Sequence, residues 1–161
     1  MSVRKTTLES NMLIRTFSHS SILVPDNPGK TMGERLRYAR CANGWSIVYL
    51  SQLSGVSATT ISCLERGIHG AALSNIRRFA EVLDVSIEFL GCFENLPQKT
   101  LGQKIKKVRL LQGLQLNEFA ALVGVDSKTV RSWERDDRIP SGRPSVVLNE
   151  ILKALPPSPS I

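Results

Sequence analysis

The chain has 161 residues, of which 42% are hydrophobic and only 6% aromatic. This length accommodates one or two small domains, and the scarcity of aromatic side chains favours helical cores of Leu, Ile, Val and Ala over β-sandwiches. The 21 basic and 14 acidic residues give a net charge of +7, which favours a polyanionic partner, either nucleic acid or an anionic membrane surface. No apolar run approaches the ~20 residues needed to cross a bilayer, so no membrane-spanning segment is expected.

Residues 1–29 are expected to be an N-terminal arm, for which the sequence leaves two alternatives open. Either the arm is flexible and adds phosphate contacts through Arg4, Lys5 and Arg15, or its SILVP stretch pairs as a strand. It lacks the continuous apolar region of a secretion signal, so we expect a cytoplasmic protein.

Residues 32–43 are predicted to form the first helix, because apolar side chains recur there on one face at helical spacing. Gly44 is predicted to end this helix. Ser46 is a good N-cap for a second short helix that continues to about Leu53.

A third helix is predicted to begin at the cap Ser57 and to end at Arg66. Gly55 accepts the positive φ that the tight turn before this helix needs, and Val56 is placed to fill the angle between the two flanking helices. Two helices joined by a short turn that contains glycine are the signature of a helix-turn-helix.

An amphipathic fourth helix is predicted from Leu73 to about Leu83, and a short fifth helix begins after the cap Ser86. Residues 30–92 are therefore predicted to form one five-helix domain, and residues 93–99 a linker.

The next part of the chain repeats the first. Residues 31–67 align without a gap on residues 100–136, at an offset of 69. Ten residues of the first copy recur unchanged in the second: Thr31, Gly33, Arg40, Gly44, Leu53, Gly55, Val56, Thr60, Glu65 and Arg66. The repeat predicts a second three-helix unit, followed by a turn at 140–144 and one closing helix. This second domain is placed at residues 100–155, with four helices, and residues 156–161 are expected to be an unstructured tail.

With GVSATTISCLERG and LSNIRRFAEVLDVSIEFL in the first copy, the chain resembles the Cro/phage-repressor regulators, also called the XRE family. The second copy, with VGVDSKTVRSWERDDRIPSG, is similar to the helix-turn-helix of many antitoxins. The resemblance implies an all-α fold with two tandem lambda-repressor-like helix-turn-helix domains. It also implies that the third helices, residues 57–66 and 126–135, enter the major groove of DNA.

The resemblance assigns DNA contacts to the start of each third helix. In the first copy these residues are Ser57, Ala58, Thr59 and Ser62. In the second copy they are Ser127, Lys128 and Arg131, with Asp126 as the N-cap. Five further basic residues are expected to add phosphate contacts: Lys104, Lys106, Lys107, Arg135 and Arg138.

The resemblance further suggests an internal ion pair in each copy, between the first helix and the end of the third. The pairs are Arg40 with Glu65 and Arg109 with Glu134, and we interpret them as structural rather than as DNA contacts.

Two departures from the family pattern set the copies apart. Ile47 and Leu116 stand where the family usually has a phosphate-binding Gln, and the third helix of the first copy has no Arg, Lys, Asn or Gln for bidentate base contacts. The positive charge is concentrated in residues 97–161, which hold eleven basic and six acidic groups (+5). The second copy is therefore expected to supply most of the affinity. The first copy contacts DNA weakly or serves as a dimerisation or partner-binding module.

The aromatic residues and the cysteines are assigned structural roles. Trp133 is predicted to pack in the core, whereas Trp45 and Tyr49 belong either to the core or, with Val48, to an exposed patch for a partner. The three cysteines form no C-x-x-C pair, and the two histidines, His19 and His69, are not at a metal-ligand spacing, so free thiols, no metal and no cofactor are expected.

These observations predict a transcriptional regulator, a repressor of a bacterial, phage or mobile-element operon, which binds double-stranded DNA as a homodimer. The alternative is an antitoxin or antiactivator that uses the same fold to bind a protein partner through its first domain. No catalytic constellation is found, so an enzyme is not expected.

Overall fold

Every element of regular structure in residues 27–153 and 155, the part of the chain that the computed structural model describes, is helical. In chain order the elements are α1 (Met32–Ala42), α2 (Ile47–Ser54), α3 (Ala58–Glu65), α4 (Leu73–Leu83), α5 (Ile87–Gly91), a 3-10 helix (Phe93–Asn95), α6 (Leu101–Leu111), α7 (Leu116–Val123), α8 (Ser127–Glu134) and α9 (Arg143–Leu152). The predicted all-α fold is confirmed. The expectations for residues 1–26 and for the tail at 156–161 lie outside the described residues.

The contacts between residues group the chain into two units. Among the described residues, 27–70 and 81–84 form the first unit, and 71–80, 85–153 and 155 form the second. The domain limits derived from the sequence remain predictions. The segment predicted as a linker contains the 3-10 helix, whose Phe93 is 8% exposed.

Several of the helices, α2 and α3 among them, begin at side chains that accept hydrogen bonds from the first helical turn. The hydroxyl of Ser46 accepts from the Tyr49 N–H and that of Ser57 from the Thr60 N–H, each at 3.1 Å. These bonds satisfy N–H groups that have no partner within the helix. Gly55, at φ +68°, ends α2 in the left-handed conformation, so the predicted turn glycine is confirmed.

In the first unit, the core lies where α1, α2 and α3 meet. Leu36, Leu50 and Ile61 are fully buried, one from each helix, and Val56 in the turn is 5% exposed. Each such aliphatic side chain contributes about 1.5–3 kcal/mol through its burial. The axes of α2 and α3 are bent by 117° across the turn, which is within the range of a helix-turn-helix.

Among the described residues, no single helix is long and apolar enough to span a bilayer, although α2 and α3 taken together pass the same length and composition test.

In the second unit, α6, α7, α8 and α9 enclose a common core. Ile105, Phe119 and Val130 are fully buried, and Leu148 of the closing helix is 2% exposed. Trp133 is 5% exposed within this core, which confirms that it packs rather than stacks on bases.

Two glycines allow the first and third helices of each unit to approach closely. A Cβ on Gly33 would lie within 3.0 Å of the carbonyl oxygen of Leu64, and one on Gly102 would lie within 3.0 Å of that of Trp133. Both contacts are to backbone, which cannot move aside as a flexible side chain can. The helix crossings α1–α3 and α6–α8 therefore require glycine at these two repeat positions.

We predict that Gly33→Ala destabilises the first unit by about 2 kcal/mol, because overpacking of a helix crossing outweighs the better helix propensity of alanine. Urea unfolding followed by circular dichroism measures this change. Gly70→Ala is the matched control, since a Cβ at residue 70 has nothing within 4 Å. Equal stability of the two variants would contradict the close approach.

Candidate nucleic-acid interface

A buried ion pair ties the third helix of each unit to the first. In the first unit, Arg40 Nε donates to Glu65 Oε1 at 2.6 Å and Nη2 donates to Oε2 at 2.8 Å. The remaining Nη1 donates to the carbonyl oxygen of Trp45 at 2.7 Å. One guanidinium thus joins the end of α1, the turn before α2 and the end of α3. Its hydrogen bonds to Glu65 raise the pKa of Arg40 above the ordinary value, although burial acts in the opposite direction.

The second unit repeats this arrangement. Arg109 Nε and Nη2 donate to Glu134 at 2.5 and 3.1 Å, and Nη1 donates to the carbonyl oxygen of Leu114 at 2.8 Å. Both side chains of the pair are less than a tenth exposed. The two ion pairs suggested by the sequence are confirmed, and their burial fits a structural role.

The N-terminus of α8 is held by Asp126, as predicted. Its Oδ1 accepts from the Thr129 N–H at 2.8 Å and its Oδ2 accepts from the Thr129 hydroxyl at 2.9 Å. The backbone bond, with the hydroxyl bond second, holds the pKa of Asp126 below its ordinary value. Asp126 is therefore ionised at neutral pH and complements the positive end of the helix dipole.

Asp136, which follows α8, makes a second link between α8 and α6 that the sequence did not predict. Its carboxylate accepts from the Thr100 hydroxyl at 2.6 Å and from the Gly102 N–H at 2.8 Å, so the start of α6 is joined to the end of α8. Asp136 has φ +60°. The repeat could have indicated this conformation. The residue that aligns with Asp136 in the first copy is Gly67, and glycine is the residue that adopts a positive φ at little cost.

The start of α8 lines an open cleft of about 640 Å³. The cleft is bounded by Asp126, Ser127, Lys128, Thr129, Ser132 and Arg138. Of the predicted site residues it brings together Ser127, Lys128 and Arg138, and it adds Thr129 and Ser132, which the prediction omitted. A cleft that is lined by polar and charged residues and has two cations at its border suits a polyanion.

The other basic residues predicted in the second copy, with one exception, are on the surface. Arg131 and Arg135 are exposed, as are Lys104 and Lys106 on α6, but none of the four lines the cleft.

Lys107 is the exception, and the expectation that it contacts phosphate is wrong. It is 2% exposed, and its Nζ donates to the carbonyl oxygens of Glu94 and Leu96 at 3.0 and 3.2 Å. The ammonium therefore caps the 3-10 helix and fastens the predicted linker segment to α6.

In the first unit, the corresponding surface carries hydroxyl and apolar groups. Thr59 is exposed and Ala58 and Ser62 are half-buried, whereas the hydroxyl of Ser57 caps α3. The nearest cation along the helix, Arg66, donates to the carbonyl oxygen of Ser62 at 3.2 Å. The third helix of this unit thus presents no cationic side chain in its first two turns.

The neighbouring helix α2 is exposed at apolar residues. Val48 is 59% and Leu53 45% exposed. Trp45 and Tyr49 are half-buried and pack edge to face, with ring centroids 5.4 Å apart. Both alternatives posed by the sequence hold in part, since the aromatic rings pack on each other while Val48 is open to solvent.

A helix-turn-helix family model, HTH_3, matches residues 36–90 and again residues 105–156. Each matched segment covers most of one copy of the sequence repeat and continues into the helices that follow it. No curated protein and no solved structure matches the chain.

We predict that Glu134→Gln lowers the free energy of unfolding of the second unit by about 3 kcal/mol, because it leaves the buried charge of Arg109 without its counter-charge. Chemical unfolding monitored by Trp133 fluorescence, with Trp45 replaced by phenylalanine in every variant, measures the loss. Glu150→Gln is the matched control. It breaks a pair with Lys153 in which both side chains are about two thirds exposed, and a loss under about 1 kcal/mol is expected. Similar losses in the two variants would contradict the structural role of Glu134.

Proposed function

The chain belongs to the Cro/C1-type helix-turn-helix family, in two tandem copies, whose domains are DNA-binding regulatory modules, and we propose that it is a sequence-specific repressor of a bacterial, phage or mobile-element operon. Its regulatory site is an operator in duplex DNA. It acts inside the cytoplasm, where that DNA is found.

The observation that carries this proposal is the exposed cationic surface of α8. Lys128 and Arg131 lie on the first turns of the helix that enters the major groove in this family. Arginine and lysine are the side chains that most often make bidentate contacts with the O6 and N7 acceptors of guanine, so these two residues suit base recognition. Ser127 stands beside them and suits contacts with either purine edge or with phosphate.

Phosphate contacts are assigned to the exposed cations around α8. Arg135 and Arg138 follow the helix, and Lys104 and Lys106 lie on α6. Each neutralised phosphate adds about 0.9 to the slope of log affinity against log salt. These contacts supply affinity that does not depend on the base sequence.

The two units divide the work unequally. The second unit supplies most of the affinity and specificity. The first unit adds weak contacts through Thr59, Ser62 and the methyl group of Ala58, which suits a thymine methyl. The support for this division is the absence of a cation on the first turns of α3.

The regulator binds its operator as a homodimer, with equivalent helices in grooves one turn of DNA, ~34 Å, apart. The competing arrangement is a tandem monomer that spans two neighbouring grooves. A palindromic footprint indicates the two-fold dimer, and an asymmetric footprint indicates the monomer.

A second candidate function is supported by the exposed Val48 and Leu53 on α2. In this alternative the first unit binds a protein partner, as an antitoxin or antiactivator does, and the partner controls the second unit. A stable complex with that partner in the absence of DNA is the observation that favours it.

We predict that replacing both Lys128 and Arg131 with alanine lowers the affinity for the best duplex from a random-sequence selection by about 100-fold, because two base contacts of about 1–3 kcal/mol are lost. Replacing both Thr59 and Ser62 with alanine is expected to cost less than about tenfold, because hydroxyl contacts discriminate weakly. Fluorescence anisotropy at fixed salt measures both. Equal losses would refute the unequal division, and no loss in either variant would refute DNA recognition by these helices.

A further inference from the structure

An exposed ion pair joins α4 to the first turn of α7 within the second unit. Arg77 Nη1 donates to both carboxylate oxygens of Glu118, at 2.9 and 3.0 Å. Arg77 lies in the segment 71–80 and Glu118 in the segment 85–153, which belong to the same unit. The side chains are 46% and 38% exposed, so the pair contributes little to stability.

Glu118 is fixed in place by the backbone of its own helix. Its Oε2 accepts from the Gln115 N–H at 2.7 Å. This backbone bond, followed by the bond from Arg77, holds the pKa of Glu118 below its ordinary value. The carboxylate is therefore ionised at neutral pH and offers a stationary anchor for a cation.

The aliphatic part of the Arg77 side chain is held in place, as its guanidinium is. It passes over Gly113 in the turn between α6 and α7, where an added Cβ would lie 3.2 Å from Arg77 Cγ and 3.4 Å from Cδ. The guanidinium is thus located both by packing at Gly113 and by the carboxylate of Glu118.

The donors of Arg77 are only partly used. Both hydrogen bonds to Glu118 come from Nη1, and a guanidinium has five N–H donors, so Nε and Nη2 have donors for a second acceptor. In a helix-turn-helix, the helix before the recognition helix crosses the DNA backbone. In the second unit that helix is α7, and a bare Glu118 on its first turn would repel phosphate.

We propose that Arg77, held by Glu118, contacts a DNA phosphate beside α7, so that a residue outside the duplicated three-helix repeat extends the interface of the second unit. This inference rests on the proposed DNA-binding function. It is particular to the second unit, since Tyr49 occupies the position of Glu118 in the first copy. Arg77 neutralises the carboxylate and at the same time binds the phosphate that the carboxylate would otherwise repel.

The test is the binding of the full chain to a random-sequence duplex of about 30 base pairs at several salt concentrations, because a phosphate contact acts on any sequence. Arg77→Met is expected to weaken binding roughly fivefold at low salt and to reduce the salt slope by about 0.9. Arg78→Met is the matched control. Arg78 is the exposed neighbour on the same helix, and it carries the same charge without the anchor.

The variant Glu118→Gln distinguishes two roles of Glu118: holding Arg77 against a phosphate, or only repelling DNA. The amide of this variant retains an oxygen for the Gln115 N–H, as glutamine does at this position of a capping box, but it lacks the charge that holds Arg77. We expect Glu118→Gln to weaken binding when Arg77 is present and not when residue 77 is methionine. If it strengthens binding by the same factor in both backgrounds, Glu118 only repels DNA and the proposal is overturned.

Two further outcomes distinguish this inference from the proposed function. If the wild-type chain binds the duplex but Arg77→Met and Arg78→Met lose affinity equally, the anchored contact is refuted while DNA binding stands. If the wild-type chain does not bind the duplex at all, the proposed function fails together with this inference.

Discussion

A buried arginine–glutamate pair governs the architecture of each unit, because one guanidinium bonds to the end of the third helix and to the turn before the second. The geometry is nearly the same in both copies, with Arg40 on Glu65 and Arg109 on Glu134. A buried charge without its partner is costly, so the pair favours the observed placement of the third helix. Gly33 and Gly102 allow the first helix of each unit to approach the backbone of the third helix closely. The recognition helix is therefore oriented by the core and not by its exposed residues.

This separation between core and surface explains how one sequence duplicates a fold and diversifies its chemistry. The residues that orient the third helix recur in both copies, whereas the residues on its exposed face do not. Lys128 and Arg131 in the second unit replace Thr59 and Ser62 of the first. Such exchanges change charge and hydrogen bonding at little cost to packing, since exposed positions contribute little to stability. A cationic and an uncharged helix surface can thus be carried by the same three-helix core.

The sequence predicted the features that depend on local chemistry or on the repeat. The caps Ser46, Ser57 and Asp126, the turn glycine and the ion pairs belong to this class. The sequence did not predict contacts in which a segment far along the chain covers or binds a side chain. Helical spacing alone places Lys107 with the exposed lysines of α6, because it does not reveal that the carbonyl oxygens around the 3-10 helix bind the Lys107 ammonium. The bond from Arg77 to Glu118 spans 41 positions in the chain, and no local pattern links them.

The start of α8 is the surface that we propose as the principal DNA contact of the chain. Nuclear magnetic resonance tests it directly, by titrating the ¹⁵N-labelled protein with duplex DNA and following every backbone amide. We expect the largest saturable shifts on residues 126–131 and smaller shifts on residues 57–62. Shifts of equal size on the two segments would contradict the unequal division, and shifts confined to α2, α5 or α9 would contradict recognition by the third helix.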